Sequence, residues 1–139
     1  MTDPADVLRR SRTIAVVGAS GTPGKAAWEV PQRLLADGWQ VVPVNPAYDQ
    51  LYGLPCHPDL AAATEANGGP LDLVDVFRPP AAAARVAADA VAVGARAVWL
   101  QLGIRSAEAR RVVEAAGIDY VEDACTAVVA GYPGVRPSS

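Results

Sequence analysis

Three glycines, Gly18, Gly21 and Gly24, punctuate the stretch VVGASGTPGKAAWEV between Val16 and Val30. Glycine has no Cβ, so the chain there can adopt positive φ and bring backbone N–H groups close to an anion. Ser20 and Thr22 add hydroxyl donors, and Lys25 adds a cation. The apolar run before the loop reads as a buried strand. The run after it reads as a helix, whose free first-turn N–H groups and positive dipole end favour a phosphate. A tight strand-to-helix connection without a ligand is the plain alternative, but so short a connection needs one glycine rather than three.

Which phosphate ligand would such a loop hold? The dinucleotide fingerprint G-x-G-x-x-G fails, because Ser20 stands where its second glycine belongs. The second strand would end in VNPAY, without the acid that holds an NAD ribose or the arginine that accommodates a 2′-phosphate. The triphosphate loop fails as well: Gly24-Lys25 is followed by Ala26, where a Ser or Thr hydroxyl must bind magnesium. Coenzyme A is the remaining common ligand of this loop in this place. A small NAD(P)-dependent oxidoreductase stands as a second reading, and a scaffold for protein contacts without ligand as a third.

Catalytic candidates are sparse. His57 is the only histidine, in PCHPD, and nothing in the sequence supplies it with a positioned partner and a substrate pocket. Asp72 and Asp75 lie three apart in a strand pattern and so point to opposite faces. One histidine and no CxxC pair make no zinc site. The chain is therefore expected to bind rather than catalyse, and to hold no metal.

These residues need a frame. TIAVV (13–17), WQVVPVN (39–45), LDLVDVF (71–77), RAVWLQL (96–102) and DYVE (119–122) read as strands, the first without alternation, as in a parallel sheet buried on both faces. Helical patterns cover 29–37, 81–93 and 106–116, each closing on a glycine, with a shorter turn over 58–64. Pro31 is tolerated only in a first turn, so regular helix is expected to begin near Glu29. The βα rhythm predicts one α/β domain with a doubly wound, five-stranded, mainly parallel sheet. Residues 1–12 form a helical lead-in, 13–125 the domain, and 126–139 a C-terminal tail, of which AGYPGVRPSS (130–139) looks loose.

With 139 residues, 51% of them apolar, the chain is long enough for a core without disulfides or metals. A net charge of −3 gives no basic footprint for nucleic acid, and no apolar run reaches membrane-span length. The reading is a cytoplasmic protein with Cys56 and Cys125 reduced and no membrane partner; the oligomeric state is not legible.

Taken together and in order, TIAVVGASGTPGKAAWEV, VVPVNPAY, LYGLPCHPDL, LVDVFRPP and AVWLQLGI resemble the stand-alone CoA-binding domain family. This family is related to the CoA-binding domain in the α subunit of succinyl-CoA synthetase. The resemblance implies a Rossmann-like fold that binds CoA or an acyl-CoA across its strand ends. Carried over, Gly18, Ala19, Ser20, Gly21, Thr22, Gly24 and Lys25 would wrap the diphosphate. Asn45 and Pro46 would lie by the nucleotide. Phe77, Arg78, Pro79 and Pro80 would form a wall, and Gln101 to Gly103 a shelf for the pantetheine arm. Where the synthetase relatives keep a lysine after the second strand, this chain has NPAYDQ, which leaves Lys25, Arg78 or solvent to meet the 3′-phosphate.

Overall fold

The computed structural model describes residues 1–139. Helix α1 (Pro4–Arg9) opens the chain, with the Asp3 side chain accepting from the Ala5 amide and a proline in its first turn. Strand β1 (Thr13–Val17), helix α2 (Ala26–Ala36) and strand β2 (Gln40–Val44) follow. A short hairpin, β3 (Gln50–Leu51) and β4 (Leu54–Pro55), leads into α3 (Leu60–Asn67). Then come β5 (Leu73–Val76), α4 (Pro80–Ala92), β6 (Ala97–Leu100), α5 (Ala107–Ala115), β7 (Asp119–Val121) and α6 (Thr126–Ala130).

Five of the strands form one parallel sheet, as the βα rhythm predicts, and their order is β2-β1-β5-β6-β7. One face packs against α1, α2 and α6 through Leu8, Ile14, Leu34, Trp39, Trp99 and Ala127. The other packs against α3, α4 and α5 through Leu60, Val74, Ala83, Ala87, Val98 and Val113. Both faces being covered, β5 and β6 are buried at every position and need no polar alternation. From β1 the chain turns one way, over α2, to β2, and later the other way, through α3, to β5. That reversal opens a crevice at the carboxyl ends of β1 and β5, where the glycine loop emerges.

Four features depart from the sequence-based expectations. Helix α2 starts at Ala26 rather than Glu29 and carries Pro31 inside it. The segment after β2, to which the sequence pattern assigns no element, forms a hairpin turning on Tyr52 and Gly53, both at positive φ (55° and 73°). That is the conformation of a tight two-residue turn matched to strand twist. Helix α3 runs on to Asn67 and stops on the left-handed Gly68. The end is not loose: α6 buries Ala127, Val129 and Ala130, Val135 is buried, and the Ser138 amide donates to the Ser11 carbonyl. Pro43 fits because β2 is an edge strand of the sheet. Its carbonyl accepts from the His57 amide, which drapes the outer edge.

Candidate functional site

The glycine loop is a cradle of amides. Gly18 takes a φ of 87°, and a Cβ there would stand 3.2 Å from both the Phe77 carbonyl oxygen and Arg78 Cδ. Only glycine lets the loop after β5 close on the end of β1. Gly24 likewise needs its positive φ of 90°. The Ser20 amide donates to the Ala27 carbonyl, the Thr22 amide to Ser20 Oγ, and the Lys25 amide to the Thr22 carbonyl. The amides of Ala19, Gly24, Ala26 and Ala27 donate to nothing in the chain. Those of Ala26 and Ala27 open α2, whose N-cap residue Lys25 gives no side-chain cap. Uncapped helix amides beside a glycine turn carry partial positive charge and favour an anion.

Pro31 explains how the loop is held. A residue with an N–H at that position would donate to the Ala27 carbonyl four residues back. Proline cannot, and the freed oxygen accepts instead from the Ser20 amide and from the Tyr52 hydroxyl. The same hydroxyl lies 3.1 Å from the Ser20 carbonyl, which shares its one proton with the Ala27 oxygen. Partial burial pushes its pKa up to about 12, so it stays a donor at neutral pH. Tyr48 lies over Gly21, where a Cβ would come within 3.1 Å of its ring. The Gly21 amide and the Ser20 and Thr22 hydroxyls surround its phenolic oxygen and hold its pKa below the ordinary value.

Two cavities flank the cradle. The smaller, about 240 Å³, lies on the α3 and α4 side and is bounded by Gly18, Asn45, Pro46, Asp59, Arg78 and Arg85. The larger, about 430 Å³, lies on the α2 side and is mostly apolar, with Val30, Phe77, Leu102 and Cys125 alongside Lys25 and Gln101. The ion pairs of the chain engage Arg9, Arg10, Arg85, Arg96, Arg105 and Arg110 and leave Lys25 and Arg78 free. One free cation thus stands at each cavity mouth.

A protein-family model described as "CoA binding domain" matches residues 12–131. The chain belongs to that family. Among curated proteins it is similar to the uncharacterized protein YneT of Bacillus subtilis, 30% identical over 88% of each chain. It also matches a stretch of the ADP-forming acetate–CoA ligase of Methanocaldococcus jannaschii, 33% identical over 46 residues. That stretch is 33% of this chain and 6% of the ligase. Among solved structures it resembles Prb, a redesign for binding of the protein PH1109, at a TM-score of 0.86 and 33% identity, covering 94% of this chain and 90% of that one.

In this CoA binding domain the structure gathers the sequence-predicted residues at the carboxyl end of the sheet, but it employs some of them internally. Asn45 Nδ2 donates to the Ala19 carbonyl and its Oδ1 accepts from the Ala47 amide, so its side chain braces the loop. The Gly103 amide donates to Asp123 Oδ1 at 2.7 Å, and Arg105 grips the other oxygen of the same carboxylate. These bonds hold the Asp123 pKa below the ordinary carboxylate range and fix the exposed Leu102 loop. Pro79 precedes α4 as its N-cap residue and Pro80 takes its first position, where a missing N–H costs nothing.

His57 lies on the outer edge of β2, beside Val41, Leu54 and Pro55, away from the cradle. Cys56 is buried, its thiol 3.5 Å from the Asn45 carbonyl and pushed up in pKa by burial. Tyr48, Tyr52, Arg85 and Asp123 were missed by sequence reasoning. The Tyr-Gly pair at 52–53 was the available signal for a turn, but nothing local says what the tyrosine hydroxyl reaches.

Proposed function

We propose that this chain binds coenzyme A or an acyl-CoA without covalent attachment, the diphosphate resting on the amide cradle, and that it performs no chemistry on the ligand alone. The observation that carries the reading is the set of unpaired amides at Ala19, Gly24, Ala26 and Ala27, set between two unlike cavities. A ligand suited to that arrangement is anionic in the middle, with a polar, flat end on one side and a long, largely aliphatic arm on the other. CoA has this form. Its nucleotide would lie toward Asn45, Pro46 and Arg78, its diphosphate against Gly18 to Lys25, and its arm along Phe77 and Gln101. Family membership and the likeness to a stretch of an acetate–CoA ligase support the same reading.

The reading without chemistry rests on the placement of the single histidine. His57 is remote, and no cluster of three His, Cys, Asp or Glu side chains is arranged to hold a metal ion. No helix is long and apolar enough to cross a membrane.

Thermal melts with CoA, dephospho-CoA, NAD, NADP and ATP test the reading. A ligand that binds only the folded form at a hundred times its dissociation constant adds about 2.7 kcal/mol, a rise of roughly 10 °C for a domain of this size. CoA should give that rise and NAD none. A rise with NAD alone would overturn the assignment.

A further inference from the structure

Behind the larger cavity, three buried polar side chains form a chain of hydrogen bonds running from the sheet to the cavity wall. Asp75 sits within β5, between Val16 of β1 and Trp99 of β6, with no exposed surface. Its Oδ2 lies 2.8 Å from Thr126 Oγ1, and that hydroxyl lies 3.0 Å from Gln101 Oε1. The Thr126 backbone N–H also donates to Gln101 Oε1, at 3.1 Å. A backbone N–H only donates, so the Gln101 atom facing Thr126 is the amide oxygen and its NH2 group is turned away.

The protons can be assigned from the two oxygen–oxygen contacts. Thr126 has one hydroxyl proton, and Gln101 Oε1 has none to give. Both contacts carry a proton only if Asp75 Oδ2–H donates to Thr126 and Thr126 Oγ1–H donates to Gln101. Burial pushes the Asp75 carboxyl well above the usual carboxylate range, in keeping with a protonated acid. Gln101 is only 4% exposed, and its Nε2 makes no bond within the chain. The one fully buried side-chain polar atom without a partner is Asp75 Oδ1, so Gln101 Nε2 retains some exposure, and Gln101 lines the larger cavity.

We propose that Thr126, with Asp75 behind it, is a positioning residue that locks the Gln101 amide with its NH2 toward the cavity, so that the cavity selects a carbonyl oxygen carried on an aliphatic arm, an amide or a thioester. A donor aimed from an apolar wall gains only when an acceptor meets it, and it discriminates against an arm with a donor or nothing at that point. The proposal rests on the CoA reading above and names two residues, Asp75 and Thr126, that touch no ligand themselves.

Calorimetric titration with 3′-phospho-ADP, CoA and acetyl-CoA tests it. The first ligand has the nucleotide and diphosphate without the arm. Gln101→Met keeps the length of the side chain and removes the donor. It should weaken CoA and acetyl-CoA by about three- to tenfold and leave 3′-phospho-ADP unchanged. Thr126→Val should weaken the two arm-bearing ligands selectively, while Thr126→Ser, which keeps the hydroxyl, restores them.

An equal loss for CoA and acetyl-CoA in Gln101→Met assigns the carbonyl to the arm's own amide. A larger loss for acetyl-CoA assigns it to the thioester. Loss of 3′-phospho-ADP in step with CoA, or no loss of either arm-bearing ligand, overturns the proposal. So does a Thr126→Ser variant that behaves like Thr126→Val, which decides the matter even if Gln101→Met does not fold. A wild type that binds none of the three overturns the CoA reading itself.

Discussion

At the scale of single residues, the cradle is built less from its polar side chains than from what they leave unpaired. Ser20 and Asn45 spend their hydrogen bonds inside the loop, and the free donors are backbone amides at Ala19, Gly24, Ala26 and Ala27. Charge comes from Lys25 and Arg78, neither of which has an acidic partner. Arg78 is exposed and its stem packs against Gly18, so its guanidinium sits at the edge of the smaller cavity with no competing carboxylate bonded to it. Removing it should cost little in folding and much in binding. For Arg78→Ala we expect a loss of about 1.5–3 kcal/mol in CoA affinity, the range for a hydrogen bond to a charged group, with the melting temperature of the free protein nearly unchanged. Titration calorimetry beside a melt of the free variant checks both halves; an affinity within error of wild type would return Arg78 to the solvent. Lys25→Ala is less informative, because the same residue is the N-cap of α2.

At the scale of elements, the βα order was legible because the strands are mostly apolar and the helices between them stop at or just before a glycine. The parallel sheet and the place of the glycine loop followed from that. What was not legible depended on partners distant in sequence. Pro31 reads locally as a helix boundary, yet α2 passes through it, since the carbonyl it orphans is taken up by Ser20 and Tyr52. The segment after residue 125 reads only as a tail, loose over 130–139, yet α6 is held by Thr126, whose hydrogen-bond partners Asp75 and Gln101 lie 51 and 25 residues away. Of the predicted site residues, Gly18 and Gln101 lie where the loop and strand ends placed them. The bracing use of Asn45 and the spent amide of Gly103 could not be foreseen, because the Ala19 carbonyl and the Asp123 carboxylate come near only after folding. The Pro31 account makes a prediction about α2. Pro31→Ala restores an N–H that competes for the Ala27 carbonyl, closing a helical bond while loosening the loop. Stability should change by no more than about 1 kcal/mol, the gain in the helix opposed by a freer unfolded chain and weaker loop bonds. CoA affinity should nevertheless fall severalfold. Unchanged affinity by calorimetry would show that the loop does not need the freed oxygen.

At the scale of the whole molecule, the buried acid at the centre of the sheet sets how stability responds to pH. Burial raises the pKa of Asp75, and no charged neighbour bears on it; a Thr126 hydroxyl turned to the carboxylate would oppose the rise, whereas the proton order proposed above turns it to Gln101. Its folded pKa therefore lies above the unfolded value of about 3.9, and the folded chain holds a proton that the unfolded chain releases first. The contribution is fully present below that unfolded value and is lost as pH rises toward the folded pKa, by about 1.4 kcal/mol for each pH unit between the two. Asp123 works in the opposite sense. Its pKa is depressed by the Gly103 amide and Arg105, so what it contributes is present above the unfolded value and is lost as pH falls through the folded one. The two acids thus pull the stability profile in opposite directions, and only a variant separates them. Asp75→Asn keeps a neutral side chain of the same shape at every pH. Denaturant titrations from pH 5 to 9 should show wild type losing stability relative to Asp75→Asn as pH rises, until the folded pKa is passed. Parallel profiles across that range would mean that Asp75 carries no proton in the fold, and that Thr126 donates to it rather than to Gln101.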